Sequence, residues 1–180
     1  MARNNTPVDK NSREYLLRQV ANGRYSLLLI VILTVVNLIM TVLDTNTYFL
    51  FSASVPYYLV FVGMGMENGF VDGAWNVKGT LTYTGLVIAL VIVAVYLLCW
   101  LLSKKRAGWL TVALVLFIVD TVALVVITFA LYESPVGKLV DFLLHIWAIV
   151  ELIQAVRGSK KLQELPPMEE PRNVYTGPEL

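Results

Sequence analysis

The sequence predicts an all-α polytopic membrane protein: a four-helix transmembrane bundle with a re-entrant or interfacial extracytoplasmic segment. Three observations carry that expectation. The apolar fraction is 57% of 180 residues and the mean hydropathy is +0.68, more than a soluble core can use. Four apolar runs are each long enough to cross a ~30 Å hydrocarbon layer at ~1.5 Å per residue. The cations cluster at the ends that such a topology places on one side. The same numbers exclude other classes. A net charge of +1 gives no electrostatic footprint for a nucleic-acid partner. Cys99 is the single cysteine and lies in an apolar run, which rules out an internal disulfide and multi-cysteine zinc patterns.

Residues 1–24 read as a polar cytoplasmic tail. Within it, 11–22 has the two faces of a short amphipathic helix, with Asn11 or Ser12 as its cap. Its basic character suits an interfacial lead-in to the first span. A docking helix for a cytoplasmic partner is the alternative.

The first span covers 25–43. It exceeds the ~7–15 residues of a signal-peptide apolar region, and no convincing cleavage site follows. Its polar residues share one side. Thr34, Asn37, Thr41 and Asp44 fall at i, i+3, i+7 and i+10, within about an 80° arc of a helix. Helix packing through Thr and Asn is one use of such a stripe; a site built on Asn37 and Asp44 is the other.

Residues 45–82 form the outer segment. Positions 48–66 are long enough to cross but are broken at Ser52-Ala53-Ser54-Val55-Pro56. Pro56 suits a first helical turn, with Ser54 available as its cap. Asn68-Gly69 and Asp72-Gly73 signal turns. Charge decides the topology. If 48–66 does not cross and the N-terminus is cytoplasmic, all 14 Lys and Arg except Lys78 and Lys138 fall inside. If it crosses, Lys104, Lys105, Arg106 and the C-terminal cations move outside and the two sides balance. The positive-inside rule selects the first arrangement. The spans are then 25–43, 83–102, 108–132 and 139–156, with both termini cytoplasmic. A kinked fifth span is the alternative. Non-helical backbone at membrane depth must be covered by protein or face water, so a re-entrant piece implies a cavity beneath it.

The second span, 83–102, carries no charge and reads as a packing or lipid-facing helix. Trp100 and Trp109 bracket Ser103-Lys104-Lys105-Arg106 as an inner aromatic belt, and Tyr83 and Tyr132 fit the outer one. The third and fourth spans form a hairpin about Tyr132-Glu133-Ser134-Pro135. Residues 157–180 are charged and contain Pro166, Pro167, Pro171 and Pro178, the composition of a disordered cytoplasmic tail.

The hairpin carries Asp120, Asp141, His145 and Glu151. Ionisable groups at bilayer depth cost several kcal/mol, so they turn inward and mark a site by default. Asp141 and His145 are i, i+4 and share a helix face. Counting depth from the turn puts Asp120 opposite about Ile149. It also puts the polar half of the first span beside the fourth. Asn37, Asp44, Asp120, Asp141 and His145 are therefore expected to line one outward-facing pocket.

Three chemistries suit that set. Asp120, Asp141 and His145 are candidate metal ligands. They are equally able to pass protons or hold a cation. An Asp–His pair can also act as general acid and base on a lipid headgroup, although no obvious nucleophile accompanies it. Phosphate loops, serine-hydrolase elbows and HExxH are absent from the sequence. The expectation is a non-enzymatic protein whose acidic pocket binds a cation, proton or headgroup, as a small transporter or accessory subunit. No cofactor is required by the sequence. The partners are the lipid bilayer and a homo-oligomeric or other membrane partner protein. The alternatives are a scaffold whose polar residues only fix packing, in which Glu151 pairs with Arg157 or Lys104, and an intramembrane lipid-modifying enzyme.

The run NTYFLFSASVPYYL after the first span resembles segments of small uncharacterised integral membrane proteins of Gram-positive bacteria. The likeness covers the first span and this segment. It implies a bacterial cell membrane location and carries no activity.

Overall fold

Each apolar run folds as a helix with one narrow buried seam and an apolar outward surface. In the computed structural model, residues 12–43, 45, 48–69, 77–131 and 138–166 are described. They form α1 (Arg13–Val42), α2 (Ser54–Asn68), α3 (Thr80–Leu102), α4 (Gly108–Leu131) and α5 (Leu139–Glu164), with no strand among the described residues. Four of these, α1, α3, α4 and α5, are long and apolar enough to cross a membrane. The 15 residues of α2 make about 22 Å of helix, short of the ~30 Å that a span requires.

The seams follow heptad-like spacing. On α4 the buried residues are Leu110, Ala113, Phe117, Asp120, Leu124 and Thr128; on α5 they include Asp141, His145, Ala148, Leu152 and Ala155. Asp120, Asp141 and His145 thus point inward because they occupy seam positions. The opposite faces are apolar: Val87, Val91, Val119, Val122, Val126 and Phe129 are all more than half exposed. Water would not tolerate such a surface on a monomer, whereas acyl chains solvate it. The chain is therefore a multi-pass membrane protein.

Helix α1 packs antiparallel on α5, and α2 antiparallel on α3. Both contacts depend on small residues that let backbones approach. A Cβ on Gly23 would sit 2.3 Å from the Ala155 Cβ, and one on Gly85 would sit 2.5 Å from the Leu59 carbonyl oxygen. These pairings bring Arg24 and Lys104 together at one end of the bundle. There the Arg24 guanidinium lies 6.0 Å and the Lys104 ammonium 5.6 Å from the Trp100 ring.

Two boundaries differ from expectation. The lead-in helix over 11–22 and the span beginning at 25 are one continuous helix, capped by Ser12, whose side chain accepts the Tyr15 N–H. Gly23 does not break it, because that position is packed against α5 rather than solvated. At the other end, the disordered tail does not begin at 157: α5 continues to Glu164. Gly158 and Ser159 are buried, with Gly158 against Leu16 and Gln19 of α1, and the Arg13 guanidinium donates to the Pro166 carbonyl. Tertiary contact thus extends the helix past the apolar run. Residues 1–11, 167–180, Asp72-Gly73 and the Tyr132-Glu133-Ser134-Pro135 turn lie outside the described residues.

Candidate functional site

The start of α2 lies buried in the bundle, so its first four backbone N–H groups need partners there. Each is accounted for. The Ala53 N–H donates to Thr34 Oγ1 at 2.8 Å. The Ser54 and Val55 N–H groups donate to Asp120 Oδ2 and Oδ1, both at 2.8 Å. Pro56 has no N–H to satisfy. Ser54 does not cap the helix, contrary to expectation. The cap position is Ala53, without a side-chain bond, and a carboxylate from α4 takes the role. An anion at a helix N-terminus is favoured by the helix dipole as well as by the two N–H bonds.

The polar stripe of α1 holds the chain that leads into α2. Asn37 Nδ2 donates to the Phe49 carbonyl (2.8 Å) and to Ser52 Oγ (2.7 Å), while Asn37 Oδ1 accepts the Phe49 N–H at 2.8 Å. Thr34 also donates to the Ile30 carbonyl, and Thr41 to the Asn37 carbonyl. Between these anchors Phe51 is left-handed, at φ 66°, a strain of about 1–3 kcal/mol for a bulky residue. Asn37 on one side and Thr34 on the other hold it there, and its ring rests 5.1 Å from that of Trp147. Asp44 lies outside the described residues.

His145 links the two acidic groups. Its Nε2 lies 3.6 Å from Asp120 Oδ2 and 3.3 Å from Ser54 Oγ. Its Nδ1 lies 2.9 Å from the Asp141 carbonyl and 3.5 Å from Asp141 Oδ1. The ring stacks on Phe117 at 5.1 Å and 8°, which fixes its plane. Asp120, Asp141 and His145 are 3%, 1% and 0% exposed, so all three are removed from lipid and water. The Asp141 carboxylate makes no close hydrogen bond within the described residues, and the Tyr48 phenol is the hydroxyl that faces it. Beyond it stand the Tyr48 phenol and Lys138, whose ammonium lies 4.8 Å over the Tyr48 ring. Burial, then the Asp141 charge, pushes the Tyr48 phenol above its ordinary range, so it remains a hydroxyl.

The three groups form a chain, not a chelate. The two carboxylates address opposite nitrogens of one ring, so they cannot share an ion with it. Among the described residues no three His, Cys, Asp or Glu converge to hold a metal ion. Ser54, His145 and Asp141 have the connectivity of nucleophile, base and orienting group. However, the N–H groups that would receive an oxyanion already donate to Asp120, and Ser54 is fully buried.

Depth counting placed Asp120 opposite Ile149; its carboxylate instead meets His145, about one helical turn nearer the connection to α4. Glu151 is half-buried on the α1–α5 side, away from the chain, and has no ion pair with Arg157 or Lys104. Sequence reasoning missed Glu67, whose carboxylate accepts the Leu81 N–H at 2.9 Å and so caps α3, and Tyr48. No periodic signal marks either one, since Glu67 acts from the end of α2 on backbone 14 residues away and Tyr48 acts from a non-helical stretch through side-chain contacts. Comparison of the chain with known protein families, curated proteins and solved structures finds no match.

Proposed function

We propose that this protein is a small proton-coupled transporter of the cell membrane, in which Asp120, His145 and Asp141 take up and hand on a proton. The observation that carries this is the imidazole of His145, buried with one ring nitrogen toward each of two carboxylates from different helices. Intramembrane carboxylate–histidine chains are the usual material of proton relays. Asp141, buried with one carboxylate oxygen 3.5 Å from His145 Nδ1, stands within reach to exchange a proton with the imidazole. The segment 48–68 is re-entrant in this reading: it descends to Thr34 and Asp120, mid-way along α1 and α4, and α2 climbs back to the start of α3. Both termini are cytoplasmic, as the distribution of Lys and Arg favours. The resemblance of 46–59 to small Gram-positive membrane proteins supports a bacterial membrane. With four spans, a homo-oligomer or a membrane partner completes the path.

Proteoliposomes carrying an imposed potential and an internal pH dye test this. Wild-type protein is expected to carry protons faster than protein-free vesicles. His145→Ala and Asp141→Asn are expected to fall to the protein-free rate while remaining folded. Equal flux in wild type and both variants would remove the proposal.

A second reading has its own support. Both Asp120 oxygens, both ends of the Asn37 amide and the Thr34 hydroxyl are committed to the backbone or side chains of 49–55. On that basis the polar groups lock α2 into a scaffold. Variants that lower stability and leave flux unchanged would favour it.

A further inference from the structure

A second polar feature lies outside the buried chain, at the basic end of the bundle. Asn22, Tyr25, Ser26 and Leu29 of α1 and Trp147 and Glu151 of α5 line a lipid-facing groove of about 300 Å³. Its height is fixed by neighbours. Gly23 faces the Glu151 carbonyl and Ala155, and Arg24 lies with Lys104 about the Trp100 ring. Cations and tryptophan at one level mark the headgroup boundary, so Glu151 stands at headgroup depth. Trp147 and Leu29 lie one turn deeper, where a lipid glycerol and its chains would begin.

Glu151 forms no ion pair among the described residues, and Arg18, one turn below Asn22, lies 3.5 Å from Glu14 instead. A carboxylate at that level repels the phosphate-only headgroups of anionic lipids and attracts a cation. Asn22 and Ser26 contribute side-chain oxygens that make no hydrogen bond among the described residues, and Tyr25 and Trp147 add aromatic surface. A primary ammonium has three N–H donors and no acceptor, which matches one carboxylate and two neutral oxygens. A quaternary ammonium could use only the charge and the aromatic surface.

We propose that Glu151, Asn22 and Ser26 form a site for the primary-ammonium headgroup of a membrane phospholipid, of the phosphatidylethanolamine type. The site is independent of the proton chain, from which it is separated along α5. The occupant is a lipid because the groove opens outward at headgroup depth and continues into apolar surface.

The full chain, released in mild detergent, would be incubated with equal amounts of phosphatidylethanolamine, phosphatidylcholine and phosphatidylglycerol of the same acyl chains, and weighed by native mass spectrometry. Phosphatidylethanolamine is expected to be retained over both others. Glu151→Gln is expected to lower its retention about tenfold, the effect of ~1.4 kcal/mol, and Ser26→Ala, which is the milder change to the fold, to lower it less. Asp141→Asn is expected to leave retention unchanged, which separates this site from the proton chain. Retention equal in wild type, Glu151→Gln and Ser26→Ala would overturn the proposal. So would phosphatidylcholine or phosphatidylglycerol retained as well as phosphatidylethanolamine, or a lipid-free dimer lost on Glu151→Gln, which would make the groove a protein contact.

Discussion

Asp120→Ala is expected to destabilise the protein by about 3–5 kcal/mol, the scale for breaking a buried charged partner. The substitution strands two buried N–H groups, of Ser54 and Val55, at roughly 1–3 kcal/mol each. It also removes the acceptor beside His145 Nε2. Asp120→Asn should be intermediate. Its single carbonyl oxygen can keep one of the two N–H bonds, while its amide must turn a donor toward the other. Thermal unfolding in one detergent, followed by tryptophan fluorescence, reads both changes. An Asp120→Ala variant as stable as wild type would show that the start of α2 is not held by this carboxylate.

The second large effect is steric. Gly85→Ala places a Cβ 2.5 Å from the Leu59 carbonyl oxygen and 3.0 Å from its carbon. Backbone cannot rotate aside as a side chain would, so α2 and α3 must separate along their antiparallel contact. A loss of about 1–3 kcal/mol is expected, the range for overpacking a filled interface. Gly108→Ala is the control. Nothing lies within 4 Å of that Cβ, so the change is expected to be neutral or to add up to about 1 kcal/mol through helix propensity. Equal effects at the two positions would contradict the close approach of α2 and α3.

The four spans were legible because each combines sufficient apolar length with a seam of fixed period. The polar stripe at Thr34, Asn37 and Thr41 was legible for the same reason, as was the shared face of Asp141 and His145. The use of these groups was not. Spacing shows that Asn37 points inward, but its partners are the Phe49 backbone and the Ser52 hydroxyl, which no periodicity reveals. Pro56 correctly announced a helix start near 54. The cap, however, came from Asp120, 66 residues further along the chain, and a sequence marks local caps only. The expected cavity beneath 45–66 follows the same logic: Thr34, Asn37 and Asp120 are occupied by that segment itself rather than lining open space beneath it. The end of α5 was misplaced because contact with α1, rather than apolar composition, sustains its last turns.

The central claim is that the Asp120–His145–Asp141 chain gains and loses a proton. Infrared difference spectra of the reconstituted protein between acid and alkaline pH test it directly, because a protonated carboxyl group has its own C=O band. The wild type is expected to show such a band, titrating reversibly, and Asp141→Asn is expected to lose it. A protein with no titrating carboxyl band, or one whose band is the same in Asp141→Asn, would contradict the account and leave these residues as the fastenings of α2.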